Sequence, residues 1–222
     1  MHDDNKVTKS VSTGKLTGIC AINTDPQDNI FCTAMEKRGR NDKNLICGQC
    51  YAFHNLRSFR KSCTPRFRNN GRLLRTKLND SQLPSFSPGE IVRLSGYGEI
   101  HNLWHVENYF RMAEIHPHAT FVLFTKRSNL VKKWLNCEKP PENMILIRSS
   151  FKINIITVKP PFGFHKIFNV FTAEYAAEHK VDINCYGNCA SCMRCYRKDG
   201  PSVINEVIIN QKGAYDRLRH KI

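Results

Sequence analysis

Ile91-Val-Arg-Leu-Ser95 and Thr120-Phe-Val-Leu-Phe-Thr125 bracket the helical pattern of Asn102 to Ile115, and this stretch decides the fold class. Each flank is short, β-branched or aromatic, and apolar enough to be covered on both faces. The beat continues with a helix over Leu130 to Asn136, a strand at Met144-Ile-Leu-Ile147 and another at Lys166-Ile-Phe-Asn-Val-Phe171. Strands alternating with helices predict an α/β protein built on a parallel sheet. Four or five such units are too few for an eight-stranded barrel, so a partial parallel (β/α) barrel or an open parallel sheet is expected. In either form, ligands collect at the carboxyl ends of the strands. Those ends are Ser95-Gly-Tyr-Gly-Glu99, Thr125-Lys126-Arg127, Ser149-Ser150 and Thr172.

Upstream, Leu16 to Asn23 reads as a first strand, after a polar start at residues 1–14 that is expected to fray. Ile30 to about Leu45 reads as a long irregular loop, rich in charge and poor in periodicity. Thr64-Pro65 opens a helix running to about Asn79, with Phe67, Leu74 and Leu78 along one side. Residues 1–180 then form the α/β core, and 181–222 a cysteine-rich extension whose last part, Pro201 to Ile222, carries the apolar patch Val207-Ile-Ile209.

The ten cysteines carry the chemistry. No run reaches the ~18 apolar residues that span a bilayer, and the first residues lack the basic start and apolar core of a signal peptide, so a cytoplasmic protein without membrane contact is expected. In a reducing compartment clustered thiols ligate metal more often than they form disulfides. Cys185, Cys189, Cys192 and Cys195 follow C-x3-C-x2-C-x2-C, and no histidine or carboxylate lies among them. One short loop can offer thiolates to separate irons of a cubane, whereas structural zinc usually takes two knuckles far apart. Iron–sulfur ligation is therefore favoured, with zinc as the alternative. Cys32, Cys47 and Cys50 form a second group, with Cys63 as a candidate fourth ligand. Cys20 and Cys137 read as packing cysteines. His101 and His105 read as surface histidines of an amphipathic helix. No phosphate-binding loop, dinucleotide fingerprint or nucleophile elbow is present.

Charge is uneven. Between Lys37 and Lys77, twelve lysines and arginines face only Asp42, and this segment supplies eleven of the fifteen net positive charges. A polyanionic partner, most simply nucleic acid, is expected. Arg68, Arg72 and Arg75 share one helical stripe and, with Arg57 and Arg60, are the candidate phosphate contacts.

Gly18-Ile-Cys-Ala-Ile-Asn23, Cys47-x2-Cys-Tyr-Ala52, Arg68-Asn-Asn70, Gly98-Glu99, Phe124-Thr-Lys126 and Cys189-x2-Cys-x2-Cys-Tyr196 together resemble the gene-product-eighty-eight family of phages and prophages. The resemblance implies a phage or mobile-element origin and iron–sulfur binding. More distantly, the order of strand, cysteine loop, helix and strand ending in a glycine-rich Glu resembles radical S-adenosylmethionine enzymes. That likeness implies a [4Fe–4S] cluster on Cys32, Cys47 and Cys50, with S-adenosylmethionine at its open iron and Gly98 and Glu99 at the methionyl amine. Glu99 and Lys126 are then the candidate catalytic side chains, and the C-terminal thiols an auxiliary cluster. The usual C-x3-C-x2-C is absent from the N-terminal loop, and Gly96-Tyr-Gly98-Glu99 stands where Gly-Gly-Glu is usual. The alternative is a non-catalytic, metal-stabilised nucleic-acid-binding protein.

Overall fold

The computed structural model describes residues 4–208 together with 213, 214 and 216. Seven strands form one sheet in sequential order: β1 (Ser10–Val11), β2 (Ile19–Ile22), β3 (Ile91–Leu94), β4 (Thr120–Thr125), β5 (Met144–Ser149), β6 (Lys166–Phe171) and β7 (Val203–Val207). β1 runs antiparallel to β2, and all later pairs are parallel. The first and last strands do not pair, so the sheet stays open. This is the open parallel sheet that the alternation predicts. No helix of the described residues is long and apolar enough to cross a membrane.

Sequential strand order with right-handed crossovers puts the connecting helices on one face. That face carries Ile22, Val92, Leu94, Phe121, Leu123, Met144 and Leu146. α3 (Thr64–Leu74), α4 (Leu103–Ile115) and α5 (Ser128–Leu135) cover it with Leu73, Leu74, Tyr109, Phe110 and Val131. The strands' alternate residues point the other way. There Ile19, Val122, Ile145, Ile147 and Ile204 pack against Cys195 and Tyr196. The cysteine-rich segment thus covers the face that the helices leave open, and both faces of the sheet become dry, as parallel sheets require.

Several expectations are corrected. The stretch Ile30 to Leu45 is not an irregular loop but mostly helix, α1 (Ile30–Asn41). Only Met35 and Gly39 are buried in α1, so it shows almost no apolar stripe. Its start is set instead by Asn29, whose side-chain oxygen accepts from the Phe31 and Cys32 amides. The N-terminal residues do not simply fray: Val7 is buried and donates its amide to Gln82, and Ser10–Val11 forms β1. α3 ends at Leu74 rather than near Asn79, because Asn108 takes over the Leu74 and Thr76 carbonyls. β7 starts two residues beyond Pro201 and pairs along all of β6 from Ile167. Of the patch Val207-Ile-Ile209, Val207 and Ile208 are buried, while Ile209 and the basic end lie outside the described residues.

A candidate thiol centre at the carboxyl edge of the sheet

Three segments bring Cys32, Cys47 and Cys50 together. Cys32 lies in the first turn of α1, Cys47 in a 3-10 turn (Ile46–Gln49), and Cys50 caps α2 (Tyr51–Arg57). Cys32 and Cys47 are distant in sequence, yet α1 and the 3-10 turn meet at Gly39 and Gly48, backbone against backbone. A Cβ on Gly39 would stand 2.5 Å from the Gly48 Cα, and one on Gly48 would stand 2.9 Å from the Gly39 Cα. Only glycine at both positions allows this approach.

The trio sits against the loop after β3. Asn29 joins the two: while its oxygen caps α1, its amide nitrogen donates to the Glu99 carbonyl at 2.7 Å. Glu99 is only 6% exposed. One carboxylate oxygen accepts from the Thr125 hydroxyl at 2.6 Å and the Ile100 amide at 3.0 Å, and the other from the Lys126 amide at 2.6 Å. The end of β4 therefore fixes the Glu99 side chain. Gly98 has φ +75°, and a Cβ there would lie 2.7 Å from the Thr24 carbonyl oxygen. Its close approach is to Thr24. Tyr51 donates to the Gly96 carbonyl and stacks edge-on against Tyr97, so α2 is docked on the same loop.

Electrostatics ties these groups into one site. Burial raises the Cys32 pKa strongly, and Glu99, Cys50 and Cys47 raise it further. Burial also raises the Cys47 pKa, against the opposing pull of Lys126. For Lys126, burial works against the charge, but Cys47, Glu99 and Cys50 outweigh it and the pKa rises. Cys32 and Cys47 resist becoming thiolates unless positive charge joins them. A bound metal centre supplies that charge and deprotonates its ligands outright.

The second group is built locally. Cys189 and Cys192 flank a single helical turn, α7 (Cys189–Cys192). Met193 then takes φ +52° and turns the chain into the 3-10 turn that holds Cys195. Burial pushes the Cys195 thiol up to about 12, with Cys185, Cys189 and Cys192 contributing. All four thiols are thus neighbours on the open face. Among the described residues, no three His, Cys, Asp or Glu side chains stand close enough to hold one metal ion. The donors in both groups are thiols, a set that suits an iron–sulfur cluster and zinc alike.

The other candidate residues divide. Cys20 is buried, its thiol donating to Glu90 at 2.6 Å, as a packing cysteine should be. Cys137 is exposed beyond the end of α5 and does not pack as expected. Cys63 is half-buried in a separate 3-10 turn and is not among the groups that perturb Cys32. His101 and His105 are not surface residues. His105 is 0% exposed, and burial holds its pKa well below 6.5. Burial and Arg75 lower that of His101 to about 4. The arginine stripe is also committed inside the protein: Arg68 pairs with Asp25 at 3.0 Å, Arg75 with Asp28, and Arg72 donates to the Asp4 carbonyl and Asn69. Arg57 pairs with Glu36, and Arg60 lies over Tyr97. A Cα-spaced stripe could not reveal those acidic partners, which come from distant loops.

No curated protein and no solved structure matches this chain. A family model described as Gene product 88 matches residues 4–214, nearly the whole chain, and the protein belongs to the Gene product 88 family.

Proposed function

We propose that this protein is an iron–sulfur protein of phage or mobile-element origin that uses its N-terminal thiol centre for radical-type chemistry with S-adenosylmethionine. The observation carrying this reading is the meeting of Cys32, Cys47 and Cys50 with Glu99 at the carboxyl edge of a sequentially ordered parallel sheet. When bound, a [4Fe–4S] cluster there would supply one-electron reduction, which no side chain can provide. The chain's own residues hold and orient. Cys32, Cys47 and Cys50 would ligate three irons. Glu99, held by Thr125 and Lys126, would present a fixed carboxylate to a cationic amine. Cys185, Cys189, Cys192 and Cys195 would hold an auxiliary cluster on the open face.

The test is anaerobic reconstitution, followed by iron and sulfide analysis and incubation with S-adenosylmethionine and reductant. Release of 5′-deoxyadenosine by the wild type, and its loss in Cys32→Ala, is the expected result. Protein with intact clusters that never cleaves the cofactor overturns the catalytic reading.

A second reading, a metal-stabilised nucleic-acid-binding module, is supported by one surface. Phe59, 70% exposed, stands between Arg57 and Arg60 with Lys61 beside it, an aromatic platform among cations. It predicts binding to single strands that weakens steeply with salt. Phe59→Ala and Arg60→Ala should each reduce it, and no binding at low salt removes this reading.

A further inference from the structure

Arg93 lies in the middle of β3, opposite Ala21 and Val122, on the sheet face away from the helices. An arginine there must bring its charge into an apolar layer, and buried charges are paired in stable proteins. Arg93 is not. Its Nε is buried without a hydrogen-bond partner. The groups that bear most on its charge are Tyr51, Tyr196, Cys189 and Cys195. Its guanidinium lies 4.7 Å from the centre of the Phe124 ring. That contact orients the cation but gives Nε no hydrogen-bond partner.

Lys126 follows Phe124 by two residues and so emerges from the same face of the sheet. Its neighbours are Cys47, Glu99, Cys50 and Tyr51. The Glu99 carboxylate accepts from Thr125, Ile100 and the Lys126 main-chain amide, not from the Lys126 ammonium. Among the described residues, the Lys126 ammonium has no ion pair. Tyr51 stands in reach of both cations, with its hydroxyl tied to the Gly96 carbonyl. Tyr51 is also 43% exposed, so this edge of the site meets solvent.

We infer that Arg93 and Lys126 together form an oxyanion seat on the open face, between the two thiol groups, for a carboxylate or phosphate of the substrate. A forked guanidinium and a point-charge ammonium flanking one opening suit a group with two or more oxygens. The seat deepens the reading above, because it would hold the anionic end of a substrate beside the Glu99 edge. A competing role for Arg93 is to balance the charge of the neighbouring thiolates. The sulfurs of Cys189 and Cys195 are near it, but neither makes a hydrogen bond to it.

The test uses protein as purified anaerobically. Arginine labelling by phenylglyoxal is mapped by mass spectrometry in chloride, inorganic phosphate and acetate at equal ionic strength. Phosphate, acetate or both should protect Arg93 while exposed Arg197 labels equally in all three, and the protecting anion identifies the group. In direct titrations, Arg93→Gln and Lys126→Gln should each weaken binding of that anion about tenfold or more. Arg93 labelling that ignores both anions overturns the seat, and so does Arg93→Gln binding as tightly as wild type. If a variant does not fold, the protection result on the wild type decides alone. Failure to cleave S-adenosylmethionine leaves this measurement untouched, so the seat and the proposed reaction can fail separately.

Discussion

Replacing Gly39 with alanine tests how this fold gathers thiols that are distant in sequence. On an exposed helix face the change would stabilise the protein, since alanine is favoured over glycine by about 1 kcal/mol inside a helix. Here the added Cβ would lie 2.5 Å from the Gly48 Cα and 3.2 Å from the Cys47 carbonyl carbon. The obstacles are main-chain atoms, so no side-chain rotation relieves the clash. Restoring ordinary contact requires α1 and the Cys47 turn to separate by about 1 Å, and overpacking of this kind costs about 1–3 kcal/mol. The clash more than offsets the propensity gain, with a net loss of up to about 2 kcal/mol, read from urea unfolding. The same displacement pulls Cys47 from Cys32. Iron and sulfide bound after anaerobic reconstitution should therefore fall in Gly39→Ala, while alkylation of Cys185, Cys189, Cys192 and Cys195 keeps its wild-type pattern. A Gly39→Ala protein as stable as wild type, or more stable, would refute the claim that this backbone contact builds the site.

Four further outcomes follow from named contacts. Burial holds the folded pKa values of His101 and His105 below the unfolded 6.5, so the unfolded chain takes up protons first as the pH falls. Stability from these rings is therefore intact above about pH 6.5 and drops by up to about 1.4 kcal/mol per pH unit for each ring that stays neutral. His105→Gln should flatten the slope of urea-unfolding stability between about pH 6.5 and 5. Asn29→Ala removes both the α1 cap and the bond to the Glu99 carbonyl, an expected loss of about 2–3 kcal/mol in the same melts. Asn29→Asp keeps the cap but faces that carbonyl with a carboxylate oxygen, and it should rescue only part of the loss. Glu99→Gln puts an amide where three donors converge and leaves at least one buried donor unmatched, costing about 1–3 kcal/mol. Arg68→Ala should lower stability by about 1 kcal/mol with no ligand present, because the exposed guanidinium is screened but serves a buried Asp25 carboxylate. An unchanged melt would return Arg68 to the pool of surface cations.

The central strands were legible because their periodicity and burial agree. β3, β4 and β6 are mostly apolar, and their ends fall at or within one residue of the places the pattern marks. α1 was not legible for the opposite reason. A helix with two buried residues in twelve has almost no stripe to detect, and its start depends on Asn29, a residue that reads equally well as part of a turn. The histidines were misplaced by the same limit. His101 and His105 look polar, but Arg75 donates to the first ring, and the second accepts the His101 amide under a stack of aromatic rings. A buried neutral imidazole leaves no mark in the sequence beyond its letter.

The thiols show what spacing can and cannot encode. Within residues 185–195 one turn of helix and one left-handed residue bring four cysteines together, so their sequence interval is their geometry. Cys32 and Cys47 obey no such interval. Between them runs a helix whose last turn meets the Cys47 turn, Gly39 against Gly48. Inserting a residue between Cys189 and Cys192 would rotate one thiol about 100° around the helix axis and off the shared face. Inserting one at the exposed Asn41–Lys43 corner would lengthen a turn and leave the glycine contact available. The N-terminal centre is thus specified by a pair of glycines and a helix length, and a search for fixed cysteine spacing would pass over it.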